Sequence, residues 1–122
     1  MSKEHTILVF EDNDFVRMQI CSFLTAEEYQ IVEARDGDEA LQQMGDHIDL
    51  AVVDVRMEPM DGFDFMNAMR NEDYKTPVVL VTGDQNHDLL ERAGQYQVSS
   101  VLMKPVQKDR LLKMVERLIA RG

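Results

Sequence analysis

Short apolar runs alternate along the chain with segments whose apolar residues recur every three or four positions. The runs of strand length cover residues 7–10, 29–32, 50–53, 77–81 and 100–103. Continuous apolar stretches such as residues 78–81 are typical of strands buried on both faces, as in a parallel sheet. The pattern therefore predicts five strands, most of them buried.

Amphipathic helices are predicted between these strands, over residues 14–26, 36–44, 62–69, 86–93 and 108–120. In the first helix, Val16, Ile20, Phe23 and Leu24 share one face. Regular alternation of strand and helix favours right-handed βαβ units, which build a parallel sheet covered by helices on both faces. The length of 122 residues fits one domain, so we expect a single domain over residues 1–122.

Polar residues capable of chemistry follow the predicted strands. Glu11 and Asp12 follow the first strand, Asp54 the third, Thr82 the fourth and Lys104 the fifth. Each of them alone also fits an ordinary loop or turn residue. Ligands of doubly wound sheets bind beyond the carboxyl ends of the strands, so we expect these side chains to share one crevice. Clustered carboxylates repel each other, and a hard divalent cation such as Mg²⁺, together with Lys104, would compensate.

Asp54 is the candidate nucleophile, since carboxylates form aspartyl-phosphate intermediates. Phosphoryl transfer depends mainly on positioning and on neutralising charge. Mg²⁺ and Lys104 would neutralise the phosphoryl oxygens, and the Thr82 hydroxyl could donate a hydrogen bond to one of them.

The chain resembles the receiver domain of two-component response regulators. The residues that carry the resemblance are Glu11-Asp12, the stretch DVRMEPMDG at 54–62, Thr82-Gly83 and Lys104-Pro105. Their spacing fits the family, and the resemblance covers essentially the whole chain. It implies an α/β fold of the flavodoxin-like, doubly wound type, with a five-stranded parallel sheet of order 2-1-3-4-5.

The resemblance also implies a role for each site residue. Asp54 would accept a phosphoryl group from a phosphohistidine on a histidine kinase or histidine phosphotransfer protein, and slow hydrolysis would end the signal. The chain would thus be a switch and not an enzyme acting on a separate substrate, and the Lys104–Pro105 peptide would be cis. The implied assignments are Asp54, Thr82 and Lys104 for the phosphoryl group, and Glu11, Asp12, Asp54 and the backbone carbonyl of Arg56 for Mg²⁺.

The chain departs from the family pattern at several positions. Val101 replaces an aromatic residue that many receivers carry three positions before the lysine, so the usual coupled movement of threonine and ring cannot occur in that form. Glu58 replaces the usual proline, and Pro59 follows it. Gln97-Val98 stands where a small pair is common. These changes predict small differences of loop shape and an unusual route from Asp54 to the output surface.

Arg56 and Asp84 lie two residues beyond Asp54 and Thr82, at positions that flank the path of an attacking water in the family. We hypothesise that they form an ion pair that slows hydrolysis. The alternative is two solvated side chains of little mutual effect.

Charge and exposed residues limit the partners. With 13 basic and 23 acidic residues and a net charge of −10, the surface does not suit nucleic acid, so we expect no direct nucleic-acid binding. Phe15 and Met18 lie off the core face of the first helix and are either a partner contact or scattered surface residues. The last helix carries a basic stripe, which is either a solvated face or a contact with an acidic partner or a second copy in a homodimer; its residues are Arg110, Lys113, Arg117 and Arg121.

Other functions fit less well. Haloacid-dehalogenase-type phosphatases usually carry a second acid two residues after the nucleophile, where this chain has Arg56. No glycine-rich phosphate loop follows the first strand, which disfavours a flavin or dinucleotide binder. A pseudo-receiver that binds partners without phosphorylation remains open because of Val101. For a phosphorylated receiver, the signal would pass to a downstream protein partner, or to an output domain if the sequence is a piece of a longer chain.

The cellular setting is predicted from what the sequence contains. Cys21 is the single cysteine, so no intrachain disulfide forms. No apolar run is long enough to span a bilayer. We therefore expect a cytoplasmic location and no membrane partner.

Overall fold

The computed structural model describes residues 5–55, 62–83, 91, 93–95 and 98–121. The strands are β1 (Thr6–Phe10), β2 (Gln30–Ala34), β3 (Leu50–Asp54), β4 (Val78–Thr82) and β5 (Ser100–Met103). The numbered helices are α1 (Asp14–Thr25), α2 (Gly37–Gln43) and α3 (Gly62–Asn71), and the C-terminal helix spans Lys108–Arg121.

The strands form one five-stranded sheet in the order β2-β1-β3-β4-β5, and every neighbouring pair is parallel. This confirms the predicted order 2-1-3-4-5. The chain reverses its winding direction between β1 and β3. Because parallel strands all end at the same edge, the residues after β1, β3, β4 and β5 gather there.

The central strands are buried on both faces because their side chains alternate between two cores. In β1, Leu8 and Phe10 face one core, and Ile7 and Val9 face the other. The first core contains residues of α2 and α3, and the second contains residues of α1 and the C-terminal helix. The predicted placement of helices on both faces is therefore confirmed.

The second strand starts and ends later than predicted, at Gln30–Ala34 instead of residues 29–32. The exit from α1 is the reason. Glu28 adopts a left-handed backbone (φ 69°), its N–H donates to the Thr25 carbonyl, and the Tyr29 N–H donates to the Leu24 carbonyl. This is a Schellman cap, so Tyr29 belongs to the helix terminus and not to the strand.

The predicted helix over residues 86–93 lies mostly outside the described residues. Residues 91 and 93–95 are helical, and Ala93 is buried. The other helices begin and end within two residues of their predicted limits.

Candidate functional site

Three ionisable side chains meet at the carboxyl edge of the sheet. Glu11 follows β1, Asp54 is the last residue of β3, and Lys104 follows β5. The Lys104 Nζ lies 2.9 Å from Asp54 Oδ1 and 3.3 Å from Glu11 Oε1. The Asp54 and Glu11 side chains are only 2% and 1% exposed, whereas Lys104 is 23% exposed. One ammonium group therefore bridges two buried carboxylates.

Burial and the mutual charges of this trio shift the pKa values of Glu11 and Lys104. Burial and the neighbouring charge of Asp54 raise the pKa of Glu11, against the opposing effects of the Asn13 amide and Lys104. Burial alone would lower the pKa of Lys104, but its hydrogen bond to Asp54 and the two carboxylate charges outweigh burial and raise that pKa. Lys104 therefore remains protonated, and a single positive charge is shared between two acids.

Asp12 brings a third carboxylate to the cluster. It is exposed, and one oxygen from each of Glu11, Asp12 and Asp54 lies within 4.8 Å of the other two. Mg²⁺ is bound by carboxylate oxygens, and an inward movement of these three side chains would let their oxygens meet one ion. Within the described residues, the three carboxylates and the Lys104 ammonium carry an excess of negative charge that a divalent cation would balance. The residues present therefore fit Mg²⁺.

Thr82 lies on the strand between those that carry Asp54 and Lys104. It is the last residue of β4 and is buried. Its backbone carbonyl accepts a hydrogen bond from the Lys104 N–H at 2.8 Å. The Lys104–Pro105 peptide is cis, as the resemblance implied. The structure thus brings five predicted site residues to one edge of the sheet, namely Glu11, Asp12, Asp54, Thr82 and Lys104.

Arg17 borders the site and is absent from the sequence predictions. Its guanidinium donates from Nη1 to the Glu11 carbonyl at 2.8 Å, from Nη2 to Asp14 Oδ1 at 2.6 Å and from Nε to Glu33 Oε1 at 3.0 Å. The spacing of Asp14 and Arg17 on one helix was a weak signal of pairing. The approach of Glu33 depends on the pairing of β1 with β2, which local sequence does not show.

Several predictions fall on residues outside the described part of the chain. They concern the Arg56 carbonyl as a metal ligand, the Arg56–Asp84 ion pair and the loop positions Glu58, Pro59 and Gln97, and they stay predictions. Val98 and Val101 are described: both are half-buried and pack against the core that contains α2 and α3. A partly buried valine thus occupies the position at which many receivers carry an aromatic ring.

Two surface features match their predicted exposure. Phe15 and Met18 are 69% and 62% exposed, and they are the large hydrophobic side chains that the described residues leave on the surface. Arg110, Lys113 and Arg117 of the C-terminal helix are exposed as well. Within the described residues, no helix has the length and apolar character needed to cross a membrane.

Comparison with known proteins decides the family. Residues 7–116 match the family model of the response regulator receiver domain. The chain belongs to this family. It is a receiver domain of two-component systems. Such domains are generally signalling modules and not classical enzymes. Receiver domains generally bind Mg²⁺ at an acidic pocket, and this chain has an acidic cluster at Glu11, Asp12 and Asp54.

Relatives of this receiver domain differ in overall length. It is 33% identical over 117 residues to the transcriptional regulatory protein PdtaR of Mycobacterium tuberculosis, covering 94% of this chain and 57% of PdtaR. It is 27% identical to the chemotaxis protein CheY of Bacillus subtilis, covering 93% of this chain and 96% of CheY. The chain thus spans little more than half of the first of these relatives.

Solved structures show the same fold. A CheY-like receiver domain from Methanospirillum hungatei superimposes with a TM-score of 0.90 at 19% identity, over 98% of this chain and 96% of that one. Chemotaxis protein CheY4 of Vibrio cholerae has a TM-score of 0.84 at 26% identity, over 95% of this chain and 99% of its own. These neighbours confirm the flavodoxin-like architecture of the receiver domain.

Proposed function

We propose that Asp54 accepts a phosphoryl group from a phosphohistidine on a histidine kinase or histidine phosphotransfer protein, in a Mg²⁺-dependent reaction. The observation that carries the proposal is the buried Asp54 carboxylate, which lies 2.9 Å from the Lys104 ammonium and beside two further acids. Such a carboxylate is placed to attack phosphorus while a fixed positive charge faces the incoming oxygens.

In the transfer step an Asp54 oxygen forms a bond to phosphorus as the bond from phosphorus to the histidine nitrogen breaks. The electron pair of that bond returns to the imidazole, which takes up a proton. Lys104 would bind a phosphoryl oxygen, and the Thr82 hydroxyl would donate to another. Glu11, Asp12, Asp54 and the Arg56 carbonyl would hold Mg²⁺, which supplies positive charge opposite the phosphoryl oxygens.

Slow hydrolysis would reset the switch. Water would attack phosphorus, releasing inorganic phosphate and the free Asp54 carboxylate, so the protein is a phosphoacceptor and not an enzyme with a separate substrate. Phosphorylation would shift a two-state population, provided that one state binds the phosphoryl group better. The shifted state would be recognised by a downstream protein or by an output domain, and we infer no direct binding of nucleic acid.

The remaining assignments belong to the same proposal. Residues 1–122 would act as a single receiver domain, and its setting would be the cytoplasm, without a membrane partner. Phe15 and Met18, next to the site on α1, would contact the phosphodonor. The exposed basic side of the C-terminal helix would contact an acidic partner or a second copy in a homodimer.

The test is incubation of the protein with acetyl phosphate, with Mg²⁺ or with EDTA, followed by intact-mass measurement. We expect one added phosphoryl group on the wild type with Mg²⁺ and none on Asp54→Asn. Asp46→Asn, which changes an exposed aspartate before β3 at the opposite edge of the sheet, is the matched control and should be phosphorylated normally. Equal phosphorylation of wild type and Asp54→Asn would refute the acceptor, and equal phosphorylation in EDTA would refute the metal requirement.

The second candidate is a pseudo-receiver that binds partners without being phosphorylated. It is favoured by one observation, the half-buried Val101 at the position of the usual ring. A wild type that takes no phosphoryl group under these conditions, but still binds Mg²⁺, would favour it.

A further inference from the structure

We propose that Arg17 is a positioning residue for the metal site: it holds the peptide group between Glu11 and Asp12 and thereby directs the Asp12 carboxylate towards the ion. The inference rests on the proposed function, since it concerns the Mg²⁺ site proposed there. Arg17 is itself a cation and would not bind the metal; it reaches the site through its hydrogen bond to the Glu11 carbonyl.

The geometry of Arg17 links three parts of the fold. Its side chain is only 11% exposed, and its three hydrogen bonds reach the end of β1, the first turn of α1 and strand β2. Two of the partners, Asp14 and Glu33, are exposed carboxylates. A solvated surface ion pair would not need a largely covered arginine side chain or a bond to a backbone carbonyl. The arrangement is instead that of a clamp on the Glu11 carbonyl.

The Glu11 carbonyl belongs to the planar peptide group that leads into Asp12. Fixing this carbonyl orients that plane and with it the start of Asp12. The neighbouring groups are also held: the Glu11 N–H donates to the Ala34 carbonyl at 3.0 Å, and the Asn13 N–H donates to Glu11 Oε2 at 3.2 Å. Asp12 is exposed, so packing does not orient its carboxylate. The backbone that Arg17 holds fixes the point from which this side chain extends.

Only an arginine can hold all three partners at once. The guanidinium presents several N–H groups in a rigid fork, whereas a lysine ammonium is a compact charge on a flexible stem. A lysine at this position would keep the charge but lose the simultaneous contacts. Removing the charge altogether would, by field effects alone, strengthen Mg²⁺ binding, because a cation near the ion would be gone. For loss of the Arg17 charge, a positioning role thus predicts weaker Mg²⁺ binding, whereas the field effect alone predicts tighter Mg²⁺ binding.

The experiment measures Mg²⁺ affinity by isothermal titration calorimetry on metal-free protein without a phosphodonor. We expect Arg17→Lys and Arg17→Gln each to bind Mg²⁺ about tenfold more weakly than the wild type, a loss typical of residues that orient metal ligands. Far-UV circular dichroism would confirm that the variants are folded.

Arg70→Lys is the matched control. Arg70 also clamps backbone carbonyls, donating to Tyr74 at 2.9 Å and to Thr76 at 3.0 Å, but these lie before β4, at the opposite edge of the sheet. Its replacement should lower stability and leave the Mg²⁺ affinity unchanged. An equal loss of affinity in Arg70→Lys would show a general structural effect and overturn the inference.

The remaining outcomes are decisive as well. Unchanged affinity in folded Arg17→Lys, or tighter binding by Arg17→Gln, overturns the inference and leaves the proposed function intact. If both Arg17 variants are unfolded, Glu33→Gln is the substitute, because it removes the charge of one exposed carboxylate that holds Arg17. At high salt, where the electric field of that charge is screened, Glu33→Gln should still weaken Mg²⁺ binding two- to threefold, about 0.5 kcal/mol. Unchanged Mg²⁺ binding by this variant overturns the inference. A wild type that binds no Mg²⁺ overturns the proposed metal site and this inference with it.

Discussion

Replacing Lys104 with methionine removes the cation shared by two buried carboxylates while keeping most of the side-chain volume. At an effective dielectric of about 20, unit charges about 3 Å apart attract by about 5 kcal/mol before desolvation is counted. Breaking a buried ion pair costs about 3–5 kcal/mol in practice. Because Lys104 is 23% exposed and water screens part of its charge, we expect Lys104→Met to lower the free energy of unfolding by about 2–3 kcal/mol in EDTA at neutral pH.

If the loss of positive charge destabilises Lys104→Met, two changes of conditions should restore its stability. Without Lys104, the pKa of Glu11 should rise further above its ordinary value of 4.5, because an opposing effect of Lys104 is lost. The folded state then binds more protons than the unfolded state at pH values above 4.5, so the free energy of unfolding rises as the pH falls through that window. Mg²⁺ should also restore stability, since it replaces the missing positive charge.

Urea denaturation followed by circular dichroism, at neutral and mildly acidic pH and with EDTA or Mg²⁺, measures both effects. The matched control is Lys113→Met, which changes an exposed lysine on the C-terminal helix and should shift stability by less than about 0.5 kcal/mol. If Lys104→Met were no less stable than this control, or if neither Mg²⁺ nor acid restored it, the electrostatic reasoning would be wrong.

Three further predictions concern α1 and its surroundings. Phe15→Ser combined with Met18→Gln should change the free energy of unfolding in urea by less than about 0.5 kcal/mol, since both side chains are exposed. The double variant should slow phosphorylation by a phosphohistidine protein but not by acetyl phosphate, and equal slowing with both donors would contradict the docking role. Asn13→Ala removes the side-chain acceptor for the Val16 N–H and should cost about 1 kcal/mol, against almost no change for Asn71→Ala at the end of α3. Glu28→Gly should stabilise the protein by about 0.5–1 kcal/mol because Glu28 has a left-handed backbone, and destabilisation would argue against the Schellman cap.

Most of the strands and helices that the structure describes could be predicted from the sequence because local patterns encode them. Apolar runs such as residues 78–81 predicted buried parallel strands, and the three-to-four spacing in α1 predicted its core face. The misplaced limits of β2 show where this reasoning fails. The cap at Glu28 and Tyr29 requires a left-handed backbone at Glu28. Glycine is the usual residue at such a position, so a glutamate gives no sequence signal of the cap.

The residue types that follow each strand were enough to predict that Glu11, Asp12, Asp54, Thr82 and Lys104 share one edge of a parallel sheet. Their contacts became visible only in the folded chain: Lys104 reaches past β4 to two buried acids, and Arg17 of α1 donates to the Glu11 carbonyl and to Glu33 of β2. The difference comes from the distance over which each effect acts. Periodicity and turn chemistry act over a few neighbouring residues, whereas burial, charge sharing and hydrogen bonds between strands arise only once distant segments pack together.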